Sequence, residues 1–288
     1  MTRLSLALVL LVLPALSCTT TAAPPARPSG VAEEEGHAAI AAEMPENAPL
    51  PSSPQGAATT GPYYEPDPGG YASAILRVDA PNMIYAAMDG AVCEKELAKR
   101  NIAVEKTDAD RTAAPGVVTP LRLKGPLHGV TIRSGLSAVE RAKSPVEIFD
   151  CRLVLALDDF SAMVAKHDVV EMIHLSAYRS RKNGGCTPRY DGKQHCAALA
   201  VDIALFKKKD GSTLSVDRDF KGKVGTKTCT DAVRKAPRGA ASAELWGFAC
   251  DAAERGVFNV ILTPNFNKQH KNHFHVEVTP DAAWMLIK

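Results

Sequence analysis

Three histidines and a glutamate cluster near the carboxyl end of the chain, in the run His270-Lys-Asn-His273-Phe-His275-Val-Glu277. On a β-strand successive side chains point to opposite faces, so His273, His275 and Glu277 are expected to share one face. Imidazole is a common zinc ligand, and two histidines on one strand face can offer one nitrogen to a metal and another to a substrate. The run therefore predicts a strand that binds a metal ion.

A second segment, His195-Cys-Ala-Ala-Leu-Ala-Val-Asp202, places an aspartate inside an otherwise apolar strand. An ionised carboxylate is costly there unless it is paired or binds a metal. Ala200 and Ala204 share the face of Asp202, and their small side chains leave room around the carboxylate. The alternative is that Asp202 lies at a strand edge and bonds to an arginine.

Other residues that could bind metal or nucleic acid fit less well. Four further histidines stand alone and are expected to be structural or exposed: His37, His128, His167 and His174. No Cys-x-x-Cys pair occurs, which argues against a cysteine zinc site. The net charge is only +2, so no global basic field can hold nucleic acid, and the run Lys207-Lys-Lys209 is typical of a solvated turn.

The amino terminus has the features of an export signal. Arg3 precedes an apolar run from Leu4 to Leu16. This run is shorter than a membrane-spanning helix, which needs about 20 apolar residues. The ending Ala15-Leu16-Ser17-Cys18 resembles a bacterial lipobox, in which the cysteine becomes lipid-modified. We therefore expect residues 1–17 to be a signal peptide, and an exported lipoprotein, anchored to the membrane through Cys18, that faces the periplasm or cell envelope. The alternative is an ordinary cleaved signal with Cys18 incidental.

Residues 18–75 are expected to be a disordered linker, because they hold half of the prolines with much alanine and no apolar periodicity. Residues 76–288 remain for folding. Alternation and helical spacing predict helices and strands in this part of the chain. The predicted helices are one after Pro81-Asn82, Cys151–Lys166, and Ser242–Arg255 with Ser242 as cap and Gly256 as stop. The predicted strands are Val117–Leu123, Gly129–Arg133, Val146–Phe149, Val169–Tyr178, Leu199–Phe206, Ser212–Val216, Val257–Leu262 and His273–Val278. This order favours an α+β fold with a small antiparallel sheet flanked by helices.

The cysteine count also fits export. If Cys18 carries lipid, six of the seven cysteines remain, an even number suited to disulfides in an oxidising compartment. Six cysteines allow about 15 connectivities, which the sequence leaves open. Short separations favour the local pairs Cys186–Cys196 and Cys229–Cys250, which leaves Cys93–Cys151.

The two histidine-containing segments together resemble those of the LAS metallopeptidases, the group of lysostaphin-type enzymes, D-Ala-D-Ala peptidases and Hedgehog domains. The stretch from Val260 to His275 is similar to the bacterial extensin-like C-terminal domain, and Tyr178-Arg179-Ser180 agrees with it. This resemblance covers roughly residues 80–280 and is loose before residue 145. It implies a disulfide-stabilised LAS/Hedgehog-like fold whose sheet bears a zinc site.

The resemblance also implies residue roles. The Zn²⁺ ligands fall on His195, Asp202 and His275, and three protein ligands leave a fourth position for water, as in catalytic zinc sites. His273 matches the histidine that acts as base or stabilises the oxyanion, and His270 matches an additional histidine that assists. Arg179 is the candidate to stabilise negative charge or hold a substrate carboxylate, and a structural ion pair is the alternative.

Three positions depart from the family pattern. Lys193 and Ala198 stand where serine and glycine are usual, and Asn272 replaces a frequent acidic residue. The expected function is a zinc-dependent peptidase that acts on peptidoglycan stem peptides or cross-links, of D,D-carboxypeptidase or endopeptidase type. Because of these departures, a non-catalytic, zinc-containing lipoprotein that binds the cell wall remains the alternative.

Overall fold

The computed structural model describes residues 79–107, 116–180, 186, 193–230 and 239–288, all within one unit of the chain, Pro51–Lys288. The predicted signal peptide, Cys18, the linker and His37 lie outside the described residues. Within the described ranges, no helix has both the length and the apolar character needed to cross a lipid bilayer.

The described residues contain both helices and strands, which confirms the predicted α+β class. The helices are α1 (Pro81–Ala86), α2 (Gly90–Lys99), α3 (Ala138–Lys143), α4 (Cys151–Val164), α5 (Lys193–Cys196), α6 (Val216–Asp219) and α7 (Ala240–Glu254). The strands are β1 (Val104–Lys106), β2 (Pro120–Leu123), β3 (Thr131–Ser134), β4 (Phe149–Asp150), β5 (Val169–His174), β6 (Ala200–Lys208), β7 (Thr213–Ser215), β8 (Val260–Leu262), β9 (Phe274–Glu277) and β10 (Leu286–Ile287). Short 3₁₀ turns cover Pro145–Glu147, Ala165–His167 and Lys268–His270.

The main sheet of the described residues is larger than expected and mixed. Its seven strands run in the order β10-β8-β9-β6-β5-β3, and β7 pairs with β6 beside this path. The prediction of a small antiparallel sheet is wrong because β3 pairs with β5, and β10 with β8, in parallel. Parallel neighbours need a crossover, and α4 lies in the connection between β3 and β5. A second, three-stranded antiparallel sheet has the order β1-β2-β4.

One face of the main sheet packs on the helices and forms the core. Val201 and Ile203 of β6 pair with Val276 and Phe274 of β9, and all four side chains are buried. Aromatic rings of α4 and α7 complete this layer, since Phe206 lies 6.3 Å from Phe160 and 5.1 Å from Phe248 between ring centroids. Because side chains alternate along a strand, the residues between these apolar positions must point to the other face.

Two of the predicted helices differ from expectation, one because it is divided and one because it begins earlier. The first is broken into α1 and α2, because Asp89 adopts an extended backbone and its carboxylate accepts a hydrogen bond from Val92 N at 2.8 Å, which starts a new helix. Helix α7 begins before Ser242, so this serine is not its cap. Ser242 is buried inside the helix and its hydroxyl accepts from Lys221 N at 3.2 Å. Gly256 follows α7 with φ +62°, which confirms it as the stop.

Most of the remaining predicted elements are present, with bounds that are shorter or shifted. Helix α4 agrees with the predicted helix at its start, and the hairpin of β6 and β7 is confirmed. The segment predicted as the strand Val146–Phe149 instead forms a 3₁₀ turn followed by β4. Ser144 explains the turn, because its hydroxyl accepts from Val146 N at 3.3 Å, immediately before a proline.

The three disulfides predicted from spacing are present. Cys93–Cys151 joins α2 to the start of α4, and Cys229–Cys250 ties the loop after α6 to α7. Cys186–Cys196 fixes the end of α5. Each bridge connects a helix to another part of the chain, over 58, 10 and 21 residues for Cys93–Cys151, Cys186–Cys196 and Cys229–Cys250, which limits the freedom of the unfolded chain.

A buried ion pair anchors the start of α4. The Asp150 carboxylate, which is fully buried, accepts hydrogen bonds from Arg152 N at 3.0 Å, Arg152 Nε at 2.8 Å and Val118 N at 2.8 Å. Asp150 thus caps the helix, neutralises a buried guanidinium and joins α4 to the segment before β2. No motif or spacing in the sequence had indicated Asp150.

We expect Asp150→Ala to lower the free energy of unfolding by about 3–5 kcal/mol, because it leaves the Arg152 charge buried without its partner. Denaturant unfolding of both proteins measures the change. Asp217→Ala, at an exposed position of α6, is the matched control and should change stability by less than about 0.5 kcal/mol. Equal effects of the two substitutions would contradict a role of the ion pair.

Candidate metal centre

Three side chains from three elements meet on the open face of the main sheet. Asp202 of β6 and His275 of β9 are direct cross-strand partners, and His195 approaches from α5. Asp202 Oδ1 lies 3.2 Å from His195 Nε2 and 3.0 Å from His275 Nδ1, and the two nitrogens are 3.2 Å apart. All three side chains are buried.

This arrangement could bind a metal ion. His195, Asp202 and His275 each offer one ligand atom, and the three atoms lie within 4.8 Å of one another. Two imidazoles and one carboxylate suit zinc as donors, and a set of three protein ligands leaves a coordination position for water or substrate. The three residues that the resemblance implied as ligands are therefore brought together.

Hydrogen bonds to the outer polar atoms of His195 and Asp202 determine which of their atoms point into the site. His195 Nδ1 donates to the carbonyl oxygen of Ala177 at 2.7 Å, which leaves Nε2 unprotonated in the neutral ring. The other carboxylate oxygen of Asp202 accepts from Ser176 Oγ at 3.1 Å and Arg179 Nη2 at 2.9 Å. These bonds orient the ligands, as such outer partners commonly do in metal sites.

Arg179 forms an ion pair with Asp202, which is the structural ion pair that the sequence left open as the alternative for this residue. Its guanidinium Nη2 bonds to Asp202, and its Nε donates to Ser176 Oγ at 3.2 Å. About a quarter of its side chain, 24%, is exposed. A contact of Arg179 with substrate stays a prediction.

The turn between α5 and β6 accommodates one departure from the motif that the chain resembles. Ala198 has φ +56°, in the left-handed region that favours glycine, and it is fully buried. The turn nevertheless forms and brings His195 to Asp202, so alanine at this position is compatible with the ligand geometry. The side chain of Lys193 lies outside the described residues.

Burial and charge set the protonation of the ligands. Burial would raise the pKa of the Asp202 carboxyl, but His195, His275 and His273 beside it hold that pKa well below its usual range. Burial lowers the pKa of His195, partly opposed by Asp202. For His275 burial acts in the same direction, yet its bonds to Asp202 and Glu277 raise the pKa to about 9. In the absence of metal, His275 therefore holds the proton of the site near neutral pH.

His273 lies beside the three ligands but is not one of the mutually close set. Its Nε2 is 3.4 Å from Asp202 Oδ1, and its Nδ1 donates to Asn272 Oδ1 at 2.8 Å. Burial lowers its pKa to about 4, although the nearby Asp202 carboxylate opposes this shift. The ring is therefore neutral at pH 7, with the unprotonated nitrogen towards the ligands.

His270 lies behind His273, with 5.1 Å between ring centroids, and at 5.8 Å from the ring of His275. Its Nδ1 donates to Asn267 Oδ1 at 2.7 Å, and burial, followed by the neighbouring histidines, lowers its pKa to about 3. Asn267 also caps the 3₁₀ turn before His270 by accepting from Gln269 N at 3.0 Å.

Sequence reasoning missed several residues that support the site. Asn272 was noted only as a departure, and Asn267 was not assigned, although an asparagine before a short helical turn is a capping signal. Ser176 had no signal of its own. The Ala177 carbonyl could not have been found, because a backbone oxygen leaves no trace in residue type.

The histidines set apart from the site lie elsewhere in the described structure. His128 and His167 are about half exposed and lie near Asp158 and Glu244. His174 is buried on the core face, where its ring contacts the edge of Phe149 at 5.6 Å between centroids. These positions agree with the structural or exposed roles expected for them.

Metal binding is expected to strengthen as pH rises towards 9. Below that pH His275 carries a proton that a metal ion must displace, so binding releases about one proton and the apparent affinity rises up to about tenfold per pH unit between pH 7 and 9. Chelator competition across this range measures the affinity, and calorimetry in buffers of different ionisation enthalpy counts the protons. A pH-independent affinity without proton release would contradict the protonation assigned to His275.

Comparison with known proteins identifies the family to which the chain belongs. Searches of curated proteins and of solved structures find no significant match. The family model described as extensin-like protein C-terminus matches residues 91–286, well over half of the chain and a range that includes all of the candidate site residues on α5, β6 and β9. The chain therefore belongs to the extensin-like protein C-terminus family.

Proposed function

We propose that this protein is a zinc-dependent peptidase that hydrolyses amide bonds in peptidoglycan stem peptides or their cross-links. The observation that carries the proposal is the convergence of His195, Asp202 and His275 with a neutral histidine beside them. The LAS metallopeptidases, which the two motifs resemble, combine these elements in the same order along the chain. The resemblance supports a D,D-carboxypeptidase or endopeptidase type of activity.

The donor set fits zinc. His195 Nε2, Asp202 Oδ1 and His275 Nδ1 would hold the ion, and each ligand is kept in place by a partner on its other polar atom. A zinc ion in such a site supplies Lewis acidity towards a carbonyl and activates water at neutral pH. The protein residues around it must then orient the peptide and move the protons.

His273 is the proposed general base. Its Nε2 lies on the side of the ligands, 3.4 Å from Asp202 Oδ1, and the bond from Nδ1 to Asn272 fixes the ring orientation. A neutral imidazole in this position accepts a proton from the attacking water and returns it to the leaving amine. Asn272 thus holds the base in place of the acidic residue of many relatives.

Two further residues complete the proposed machinery. His270, held by Asn267 and packed against His273, supports the orientation of the base. Arg179 is tied to Asp202, and its partly exposed guanidinium places positive charge beside the reacting carbonyl, where negative charge develops.

The proposed substrate follows from the proposed location. A lipoprotein anchored through Cys18 in the cell envelope would meet peptidoglycan, and the linker of residues 18–75 gives the domain reach. Stem peptides carry carboxylates, and Lys268 and Lys271 are exposed at the edge of the site beside His270. Opposite charge on the two partners favours their encounter.

Two substitutions separate metal binding from hydrolysis. We expect His273→Ala to retain zinc and to lower kcat by about 10²–10⁴-fold, because the base is lost. Asp202→Ala should lose both zinc and hydrolysis. Metal analysis of the purified variants and mass spectrometry of muropeptide products measure both properties. His128→Ala, at a half-exposed histidine away from the site, is the control, and cleavage by His273→Ala at the wild-type rate would remove the role of His273.

The second candidate function is a lipoprotein that binds zinc and the cell wall without cleaving it. Lys193 and Asn272, which differ from the usual residues of the family pattern, favour this candidate. Incubation of the protein with muropeptides, with and without a zinc chelator, distinguishes the two. The peptidase predicts cleaved products that disappear with the chelator, whereas substrate retained without any product supports the binding protein.

A further inference from the structure

The ring of His275 is held between two carboxylates on its opposite edges. Its Nδ1 faces Asp202 Oδ1 and His195 Nε2, at 3.0 and 3.2 Å. Its Nε2 donates to Glu277 Oε2 at 3.0 Å. Glu277 therefore lies on the side of the ring away from the ligand atoms, and its contact with the candidate metal centre passes through His275.

The strand geometry places Glu277 there. His275 and Glu277 are two residues apart on β9, so their side chains share the open face. Glu277 pairs in register with Ala200 of β6, whose small side chain leaves space for the carboxylate. Only 13% of the Glu277 side chain is exposed. The hydrogen bond is thus shielded from most competition by water.

Glu277 is itself held by neighbours. Thr279 Oγ1 donates to its second carboxylate oxygen, Oε1, at 2.9 Å. Thr279 N donates to the side chain of Asn259 at 2.9 Å, and Asn259 N donates to the carbonyl oxygen of Glu277 at 2.9 Å. Asn259 is fully buried. A chain of hydrogen bonds therefore runs from the interior through Thr279 and Glu277 to His275.

A carboxylate in this position changes what the imidazole can do. By accepting the Nε2 proton it keeps that proton on the far nitrogen, so the neutral ring presents an unprotonated Nδ1 to the metal. It also fixes the ring rotation and makes the ligand more basic. His195, in contrast, is held by the uncharged carbonyl of Ala177. The two histidines would therefore contribute unequally to metal binding.

We propose that Glu277 is a positioning residue that orients His275 and strengthens it as a metal ligand, an inference that rests on the metal site of the proposed function. Neither the motif resemblance nor the family match assigns Glu277 this role. Glu277 acts through His275 and contacts neither the metal nor the substrate. Its effect must therefore be visible in metal binding itself, without any substrate.

The test measures Zn²⁺ affinity by competition with a chromophoric chelator, in the full-length protein. We expect Glu277→Ala to weaken binding about 10–100-fold, the usual cost of removing such a partner. Glu277→Gln keeps the shape and an oxygen acceptor without the charge, so its loss should be smaller. The visible absorption of bound Co²⁺ should also change in both variants, because the geometry around the metal changes. Affinities of both variants within about twofold of wild type would overturn the proposal.

Glu171→Gln is the matched control. Glu171 lies on β5 of the same sheet, pairs with Arg133 and Lys207, and touches none of the candidate ligands, so its substitution should leave Zn²⁺ affinity unchanged. Thermal unfolding of the metal-free proteins shows whether each variant is folded before metal is added. An equal loss of affinity in Glu171→Gln would assign the effect to general destabilisation of the sheet and overturn the proposal.

The result is independent of catalysis. If wild type binds Zn²⁺ and the Glu277 variants bind it more weakly while no muropeptide is cleaved, the role of Glu277 stands and the peptidase proposal fails. If wild type cleaves muropeptides and the variants bind Zn²⁺ normally, the role of Glu277 fails and the peptidase proposal stands. A wild-type protein that binds no metal would overturn both.

Discussion

The candidate metal centre depends on the antiparallel pairing of β6 with β9. This register places Asp202 directly opposite His275 and, one residue along, Ile203 opposite Phe274. Because the apolar pairs on the core face are buried against the helices, a shift of one residue would turn them to the open face and the ligands into the core. The hydrophobic core thus holds the two candidate ligands in register.

The pairing of β6 with β9 also places a buried carboxylate, Asp202, where its charge must be balanced. A buried carboxylate is unfavourable unless it is paired, and Asp202 is surrounded by three histidines and Arg179. Without a metal ion, this cluster is balanced by a proton on His275, whose pKa is raised to about 9 by its two carboxylate neighbours. His270 and His273 stay neutral because burial outweighs the attraction of Asp202. A metal ion bound at this site would therefore compete with the proton of His275, while His270 and His273 are neutral near pH 7.

Membership of the extensin-like family identifies the domain, whereas the site geometry indicates which chemistry the domain could perform. The family match covers the domain that holds the site, and the ligand arrangement limits the chemistry that this domain could perform. The departures from the motifs that the chain resembles differ in their structural consequences. Ala198 occupies a backbone conformation that favours glycine, yet the turn is intact. Asn272 takes over the orientation of His273, which an acidic residue could also provide.

The sequence by itself indicated the candidate ligand types and the shared strand face of His275 and Glu277, because alternation is a local property of a strand. Short separations favoured the pairs Cys186–Cys196 and Cys229–Cys250, and elimination left Cys93–Cys151. The size and mixed direction of the main sheet could not be read in this way, since the pairing of β3 with β5 depends on a crossover through distant segments. Only the tertiary structure decided that Arg179 bonds to Asp202, that the Ala177 carbonyl holds His195, and that Glu277 lies behind His275. These contacts join residues through packing, and a backbone carbonyl has no sequence signature at all.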